Sequence, residues 1–389
     1  MKATAPPNGR LFTLNFVLIW VSTFFAFTSF HLLLPILPLY AINIGGTNAE
    51  VGLIIGILAV TSVTARPWIG HESDRRGKKL ILVWGALALV ISSFSYVLAS
   101  TVFLLLVFRL FHGVAWAAAT TASPALVADL SPVTRRGETM GWYGTASSVA
   151  MALAPLLAVA VNAAYGFAPT FLVAAGTAVV ALGAASWIRE PGRSPTSASP
   201  RDRTGSPWHA IIYRPALVPS TAMFVVALTY GSLITFVSLL AYANNLNPGV
   251  FFLVFAAFLI IARPIGGKIA DAAGRSAAII PGMIAMVIAL ALLAFASDLP
   301  LLLLTASLYG IGFSFVNPSL MAMTADRAAP EERGAAMGTF SAAMDLGIGL
   351  GAIVLGFLLE KTNFQVLYLT AAGIGVGGML VYGIAVRRR

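Results

Sequence analysis

Long apolar runs follow one another along almost the whole chain, and this feature most restricts what the sequence can fold into. A helix of about 20 apolar residues crosses a hydrocarbon core of about 30 Å. We count twelve such runs, with approximate limits 12–40, 49–70, 79–99, 101–127, 138–163, 166–188, 215–243, 248–268, 276–297, 299–325, 334–359 and 364–386. The mean hydropathy of +0.89 and the charged fraction of only 10% exclude an ordinary soluble domain. The sequence predicts an all-α integral membrane protein with twelve transmembrane helices.

The first run is expected to remain as the first membrane helix. It is too long for a signal peptide and is not followed by a small-residue cleavage site. The chain contains no cysteine, which excludes disulfides and thiolate metal sites.

The basic residues are distributed asymmetrically between the two sides of the predicted helices. Twenty of the 24 lysines and arginines fall in the N-terminus, 75–79, 135–136, 189–214, 268–275, 327–333 and 387–389. Lys361 is in a loop on the opposite side, whereas Arg66, Arg109 and Arg263 lie within or at the ends of spans. This positive-inside pattern predicts a multi-pass protein of the inner (plasma) membrane with both termini in the cytoplasm. The net charge of +10 therefore reports topology and does not indicate a nucleic-acid partner.

Two stretches of the sequence repeat with a constant offset. ARPWIGHESDRRGK at 65–78 matches ARPIGGKIADAAGR at 262–275, and ADLSPVTRRGETMG at 128–141 matches ADRAAPEERGAAMG at 325–338. The offset is 197 residues in both cases and needs no gap. Two parallel six-helix halves, related by an axis along the membrane normal, are typical of transporters with a substrate site between the halves.

A polar segment separates the two predicted halves. Residues 189–209 are rich in Ser, Pro, Gly and Arg and lack apolar periodicity, which is typical of a linker. We therefore expect a first six-helix bundle over 1–188, a cytoplasmic linker over 189–214 and a second six-helix bundle over 215–389. The two bundles are expected to be pseudo-symmetric.

Three motifs resemble those of a known family. The pattern G-x-x-x-D-R-x-G-K-K at 70–79, with a weaker copy after helix 8, resembles the signature loop of the major facilitator superfamily. RLFHGVAWAAA at 109–119 is similar to the helix-4 motif of its proton-coupled members, with His112 where glutamine is more usual. ALAPLLAVA at 152–160 resembles a degraded form of the helix-5 Gly-Pro motif of antiporters, in which Ala154 replaces the glycine before Pro155. The whole chain resembles the twelve-helix drug/proton antiporter group of this superfamily.

The resemblance implies that the repeated loops form a gate. In the family, the matching aspartate faces the positive end of helix 11, which here implies that Asp74 lies near Gly334. The basic residues of the loop reach the acidic end of helix 4, so Arg75 or Lys78 is expected near Asp129. A carboxylate at a helix N-terminus and an ion pair each stabilise modestly when exposed. The alternative is a solvated loop that only sets orientation.

The glycines of the same loop are expected to shape a tight turn. Gly70 and Gly77 bracket the predicted connection between helices 2 and 3, where a missing Cβ lets the backbone turn or approach a neighbour. The full set of predicted gating residues is Gly70, Asp74, Arg75, Gly77, Lys78, Asp129, Asp271, Gly274, Arg275 and Asp326.

Ionisable groups that lie within a span in one half only are better candidates for chemistry than repeated ones. Four stand out: Arg109 corresponds to Ala306, His112 to Tyr309, Asp345 to Ser148 and His31 to Leu228. Arg109 and His112 are three residues apart, so both side chains share one face of helix 4. In the family's fold this helix lines the central cavity, and the matching arginine is tied to proton coupling. The alternatives are an arginine satisfied by backbone carbonyls and a neutral, hydrogen-bonded histidine.

Asp345 is the only acid that we place deep in a span. Burial disfavours a charged carboxylate, which suits a group that takes up and releases a proton. The alternative is a structural hydrogen bond or a pair with a distant arginine. His31 precedes a Pro-containing kink, and histidine changes its charge near neutral pH, which suits coupling. A purely structural His31 is equally compatible with the sequence.

The combined features predict a proton-coupled secondary transporter that exports small lipophilic or amphipathic compounds by alternating access. The alternatives are a transporter of a polar solute such as a sugar, peptide or metal-chelating metabolite, a lipid-linked flippase, and a non-transporting receptor on the same fold. No enzyme, phosphate-loop or metal-site signature occurs, so we expect no catalysis, metal or cofactor. The expected partners are a small-molecule substrate, protons and the lipid bilayer. The protein is expected to act as a monomer driven by the proton gradient.

Overall fold

The described part of the chain is helical throughout. The structure is a computed structural model that describes residues 12–131, 135–190, 213–329 and 332–387. Within these ranges it has twelve long helices and no strand. In chain order they are α1 Leu14–Asn43, α2 Asn48–Arg76, α3 Lys78–Ser95, α4 Val102–Leu130, α5 Arg136–Tyr165, α6 Phe167–Trp187, α7 Leu217–Ala243, α8 Pro248–Ala273, α9 Arg275–Leu293, α10 Leu299–Asp326, α11 Arg333–Lys361 and α12 Phe364–Arg387. All twelve are long and apolar enough to cross a membrane, which confirms the predicted fold class.

The helix ends define two sides of the molecule. On one side, the Asn15 amide donates to the Arg189 carbonyl at 2.9 Å, and the Lys78 backbone N–H donates to a Glu190 oxygen at 3.0 Å. These contacts bring the starts of α1 and α3 to the end of α6, so we call this side the linker side. On the opposite side, here called the far side, the Tyr40 hydroxyl donates to the Ala99 carbonyl at 2.8 Å.

Four helices that start on the far side begin at polar capping residues. The side chains of Thr47, Thr101, Asn247 and Asp298 accept hydrogen bonds from the first turns of α2, α4, α8 and α10. Such caps satisfy backbone N–H groups that have no partner inside the helix. The twelve-helix pattern therefore follows from local sequence signals as well as from hydropathy.

The helices pack as two groups of six. Helices α1–α6 pack mainly among themselves, as do α7–α12, and the groups meet where α2 contacts α11, α5 contacts α8 and α1 contacts α7. We call the two groups the first and second bundle and this boundary the seam. The predicted domain limits remain predictions, and most of the predicted 189–214 linker, residues 191–212, lies outside the described residues.

The seam is closed on the far side. A Cβ added to Gly52 of α2 would lie 2.3 Å from the Ala352 carbonyl oxygen of α11, and one added to Gly56 would lie 2.6 Å from that of Gly349. Residues 31–39 of α1 and 229–238 of α7 are all buried. Only glycine permits so close a backbone approach, so the far-side halves form one continuous packed region.

The seam is wider on the linker side. A Cβ added to Gly70 of α2, Gly141 of α5, Gly267 of α8 or Gly338 of α11 would have no neighbouring atom within 4 Å. These four helices are the ones whose far-side halves touch across the seam. The bundles therefore diverge towards the linker side, and the structure represents a conformation open to that side.

Helix α2 is longer than its apolar run. The sequence limits place the end near residue 70 and Gly70 in the following turn, but α2 continues to Arg76 and Gly70 lies inside it. Arg75 and Arg76 in the last turn complement the negative end of the helix dipole, and Glu72 lies within ion-pair distance of both. The expectation that Gly70 brackets the turn is therefore wrong, because charged residues extend the helix beyond its apolar part.

Gly77 alone forms the tight connection between α2 and α3. Its φ of 109° lies in the region that residues with a Cβ avoid. Gly274, its equivalent in the repeat, connects α8 to α9 with a φ of 88°. The same backbone conformation therefore occurs at the same place in both bundles.

Candidate functional site

An ion pair links the two bundles within their membrane-spanning parts. An Arg66 guanidinium nitrogen of α2 donates to a carboxylate oxygen of Asp345 on α11 at 2.5 Å. The Ser62 hydroxyl, one turn before Arg66, donates to the same oxygen at 3.4 Å. The side chains of Arg66 and Asp345 are 19% and 18% exposed. Both side chains of the pair are thus mostly buried but still partly accessible.

The pair lies where the closed part of the seam meets the open part. Arg66 is ten residues before the end of α2 and Asp345 is twelve residues after the start of α11, so both are about 15–18 Å from the linker-side ends. Ionised groups at this depth are costly unless they pair or face water. Each charge is therefore stabilised by its partner from the other bundle.

The equivalent positions of the second repeat carry no such pair. Arg66 corresponds to Arg263 of α8, and Asp345 corresponds to Ser148 of α5, both with the 197-residue offset. The Ser148 hydroxyl donates to the Gly144 carbonyl at 2.9 Å within its own helix. Arg263 is exposed and has no hydrogen bond or ion pair with any residue that the structure describes.

Arg109, His112 and Tyr96 form a buried polar cluster inside the first bundle. Arg109 and His112 are fully buried. The Arg109 Nε–H donates to the Ile54 carbonyl of α2 at 2.9 Å, and His112 Nδ1 lies 3.0 Å from the Tyr96 hydroxyl. The two terminal nitrogens of Arg109 and Nε2 of His112 have no hydrogen-bond partner among the described residues. Within the described residues, the cluster therefore retains buried polar atoms without a hydrogen-bond partner.

His31 lies one helix away from this cluster. Its Nδ1 is 2.9 Å from the Phe27 carbonyl, and its ring packs against Phe27 and Phe30. Phe30 in turn contacts the ring of His112, with the centroids 6.0 Å apart. The structure thus connects His31 to His112 through one aromatic side chain and without a hydrogen bond between them.

The predicted gating residues form the same contact in both bundles. The Lys78 ammonium contacts an Asp129 carboxylate oxygen, and the Arg275 guanidinium contacts Asp326 at 3.2 Å. Both pairs join the start of the third helix of a bundle to the end of the fourth. Of the two candidates for Asp129, Lys78 is therefore the partner.

The other gating residues lie close to these pairs. Arg275 also contacts Asp271 at 2.8 Å, one turn earlier in the chain. Arg75 lies 3.9 Å from Glu72 in its own helix and not at Asp129. Asp74 is exposed and close to the linker-side end of α2. Its predicted contact with Gly334 remains a prediction, because the surroundings of Gly334 are outside what the structure describes.

Comparison with known proteins identifies the family. The model of the Major Facilitator Superfamily matches residues 19–254 and again 219–389, so the two matches together span nearly the whole chain. The chain belongs to the major facilitator superfamily. This membership, with the fold, makes it a membrane transporter and not an enzyme.

Several relatives and solved structures resemble the chain over its full length. The quinolone resistance protein NorA of Staphylococcus aureus is 23% identical, with 98% of each chain covered. The multidrug resistance protein MdtG of Enterobacter lignolyticus is 24% identical and covers 100% of this chain and 95% of its own. The crystal structure of nucleoside transporter NupG superimposes with a TM-score of 0.72 at 16% identity, covering 96% and 99% of the two chains.

Arg109 and His112 do not occupy the cavity-lining place that the superfamily resemblance implied. The two side chains share one face of α4, as expected, but this face packs inside the first bundle, with Arg109 against α2 and His112 against Tyr96 and Phe30. A Cβ added to Gly113, the next residue, would lie 1.9 Å from the Thr61 hydroxyl oxygen of α2. In this conformation of the major facilitator fold, the cluster therefore has no direct access to the seam.

Arg66 is a candidate functional residue that the sequence analysis did not include. Because the arginine is present in both repeats, we interpreted it as part of their shared architecture. The position of its partner, however, is Asp345 in one repeat and Ser148 in the other. The sequence contained a signal, since the arginine is kept in both copies as Arg66 and Arg263, whereas Asp345 of one copy is replaced by Ser148 in the other. The proposed alternative for Asp345, a pair with a distant arginine, is the arrangement that the structure contains.

The helix-5 motif contributes packing. Ala154 is 1% exposed and precedes Pro155 inside α5. The small residues Ala146, Ala150 and Ala158 on the same ridge are fully buried. The corresponding ridge of α11 packs within its own bundle, since a Cβ at Gly351 would lie 2.1 Å from the Leu228 carbonyl oxygen of α7. This α11 ridge holds helices together within a bundle. A second small-residue ridge of α11, with Gly349 and Gly356, contacts α2 across the seam.

Proposed function

We propose that the protein is a proton-coupled exporter of small amphipathic compounds and that the Arg66–Asp345 pair couples proton movement to the rocking of the bundles. The observation that carries this proposal is an ion pair that crosses the seam at the boundary between its closed and open parts. A titratable carboxylate at this position links one protonation event to the relative position of two rigid bodies.

The chemistry of the coupling step is simple. A proton bound to Asp345 neutralises the carboxylate and removes its attraction to the Arg66 guanidinium. Because both groups are mostly withdrawn from solvent, the attraction is stronger than that of a surface pair. Loss of the pair changes the balance between the linker-side-open and far-side-open conformations, and the return of the proton restores it.

The direction of transport and the orientation follow from separate arguments. The positive-inside distribution of lysines and arginines supports a location in the inner membrane, with the linker side and both termini in the cytoplasm. The names of NorA and MdtG associate those relatives with drug resistance, which supports export. We propose that a monomer is sufficient and that the proton gradient supplies the energy without a cofactor.

The repeated loops act as the linker-side gate in this proposal. The Lys78–Asp129 and Arg275–Asp326 pairs brace the third and fourth helices of each bundle. Asp74 lies at the end of α2 on the same side and is proposed to meet the start of α11 when that side closes.

Proteoliposomes test the proposal directly. The purified protein is reconstituted with a pH-sensitive dye inside, a pH gradient is imposed, and proton flux is followed on addition of amphipathic compounds of each charge type. We expect compound-dependent flux for the natural protein and background flux for Asp345→Asn. Asp298→Asn serves as the matched control, because it makes the same chemical change at a helix cap where asparagine serves equally well.

The possible results separate coupling from other roles of Asp345. If Asp345→Asn still shows compound-dependent proton flux, this residue has no role in coupling. Compound transport without any proton flux in the natural protein would overturn proton coupling altogether. No transport of any compound in either direction would favour a receptor on the same fold.

A further inference from the structure

The second bundle carries an arginine in the seam that has no carboxylate partner among the described residues. Arg263 lies ten residues before the end of α8, at the same depth as Arg66 in α2. Its side chain is exposed and forms no hydrogen bond or ion pair with any other described residue. A guanidinium within a membrane span is costly unless it faces water or a partner.

Contacts on the far side show which side of α8 faces α5. A Cβ on Gly52 of α2 would lie 3.3 Å from Gly356 of α11, and a Cβ on Gly249 of α8 would lie 3.0 Å from Val159 of α5. These contacts are equivalent, because Gly249 and Val159 are related to Gly52 and Gly356 by the same 197-residue offset. Helix α8 therefore presents to α5 the positions that α2 presents to α11.

Arg263 lies on this seam-facing side of α8. It follows Gly249 by 14 residues, as Arg66 follows Gly52, and 14 residues complete nearly four helical turns. One turn further on, a Cβ on Gly267 would have no neighbouring atom within 4 Å. There is consequently open space one turn from Arg263 on the same side of α8.

The acids of α5 and α8 are already engaged at the linker-side ends. Ser148 occupies the position on α5 that corresponds to Asp345, and its hydroxyl donates within its own helix. Glu138 in the first turn of α5 pairs with Arg135 at 2.9 Å, and Asp271 of α8 pairs with Arg275 at 2.8 Å. Within the described residues, the α5–α8 part of the seam thus has the cation of the repeated pair and lacks its anion.

We propose that Arg263 binds the carboxylate of the transported compound, so that the substrate completes the second copy of the Arg66–Asp345 pair. The substrate class is an organic monoanion, since one arginine is available and the position corresponding to Asp345 holds an uncharged serine; its amphipathic character is taken from the proposed function. Arginine pairs with carboxylates through two parallel hydrogen bonds, which favours this group over a neutral polar one. This inference deepens the proposed function and rests on it for the role of the seam as the transport path.

Equilibrium binding in detergent tests the subsite without a proton gradient. The probes are 1-pyrenebutyrate and its methyl ester, which share the apolar part and differ in the carboxylate, and binding is followed by fluorescence anisotropy. We expect the natural protein to bind the carboxylate more tightly than the ester. Arg263→Gln should weaken binding of pyrenebutyrate about tenfold or more and change binding of the ester less than about twofold.

Two further variants keep the test decisive. Lys268→Gln removes a cation from the same helix, about 140° further round it, and should leave binding of both probes unchanged. Ser148→Asp places a carboxylate at the position corresponding to Asp345 and should weaken binding of pyrenebutyrate alone by occupying Arg263.

Several results would overturn the subsite. They are equal affinity of the natural protein for carboxylate and ester, unchanged pyrenebutyrate binding in both Arg263→Gln and Ser148→Asp, and equal loss of both probes in Arg263→Gln. If Arg263→Gln does not yield a monodisperse protein, Ser148→Asp and Arg263→Lys decide the matter by the same comparison. Because no gradient is used, failure of proton coupling leaves this result unaffected, and failure of carboxylate binding leaves the proton-flux result unaffected.

Discussion

Glu360 at the end of α11 caps the start of α2 across the seam. Its Oε2 accepts hydrogen bonds from the backbone N–H groups of Asn48 at 2.8 Å and Ala49 at 3.4 Å. These are among the N–H groups that have no partner within α2, and the positive end of the helix dipole favours a carboxylate there. One side chain of the second bundle thus stabilises a helix terminus of the first bundle only while the far side is closed.

Removal of this cap should favour opening of the far side. Glu360→Ala loses a cap that contributes about 0.5–2 kcal/mol to the closed conformation. The absence of native cysteine allows spin labels at Ser100→Cys and Thr362→Cys, one on the far side of each bundle, with the distance measured by double electron–electron resonance. We expect the distance distribution of Glu360→Ala to gain a longer component.

A matched variant controls for loss of a helix cap as such. Glu50→Ala removes the carboxylate of the capping box within α2 and breaks no contact that the structure describes across the seam. It should leave the distance distribution unchanged. An identical distribution in Glu360→Ala and the natural protein would mean that the far-side closure does not depend on this cap.

The Arg66–Asp345 pair should show strong coupling in a charge exchange. Arg66→Asp or Asp345→Arg alone places two like charges together and should lower stability by about 1–3 kcal/mol, discounted for the partial exposure of both groups. The double exchange restores opposite charges and should recover a good part of this loss. Thermal unfolding in detergent measures the three variants, and simple additivity of the two single effects would contradict a direct pair.

The close approach of α2 to α11 should not tolerate an added methyl group. Gly52→Ala would place its Cβ 2.3 Å from the Ala352 carbonyl oxygen, which is possible only if the helices separate. We expect the same spin-label pair to report a wider far side. Gly176→Ala in α6 is the control, because a Cβ there has no neighbouring atom within 4 Å and alanine favours the helix by up to about 1 kcal/mol. Unaltered distances in Gly52→Ala would show that the seam adapts without opening.

Arg109 should be dispensable for folding and required for proton coupling, which it would influence through its contact with α2, because it has no direct access to the seam. Its guanidinium is fully buried with two nitrogens that have no partner among the described residues, so Arg109→Met retains the packing and removes the cost of a buried charge. We expect a melting temperature equal to or above that of the natural protein and loss of compound-dependent proton flux. A large fall in melting temperature with normal flux would assign Arg109 a structural role.

The number of spans, the 197-residue repeat and the tight turns at Gly77 and Gly274 were determined by the sequence itself. Each depends on local properties: hydropathy over one helix length, identity between two stretches, and a backbone conformation that only glycine adopts easily. The Lys78–Asp129 pair could also be predicted, because the resemblance to the family implied that a basic residue of this loop contacts Asp129. Local sequence signals fail at the end of α2, where charged residues continue a helix beyond its apolar run.

Only the tertiary structure decided which side chains meet and which part of the seam is open. In a membrane, lipid-facing and protein-facing positions are both apolar, so the sequence pattern does not reveal how a helix is rotated. This is why the burial of Arg109 inside the first bundle was not foreseen. The contact between Arg66 and Asp345 joins residues 279 positions apart and depends on the packing of two bundles, and the same packing leaves Arg263 with open space where Arg66 has a partner.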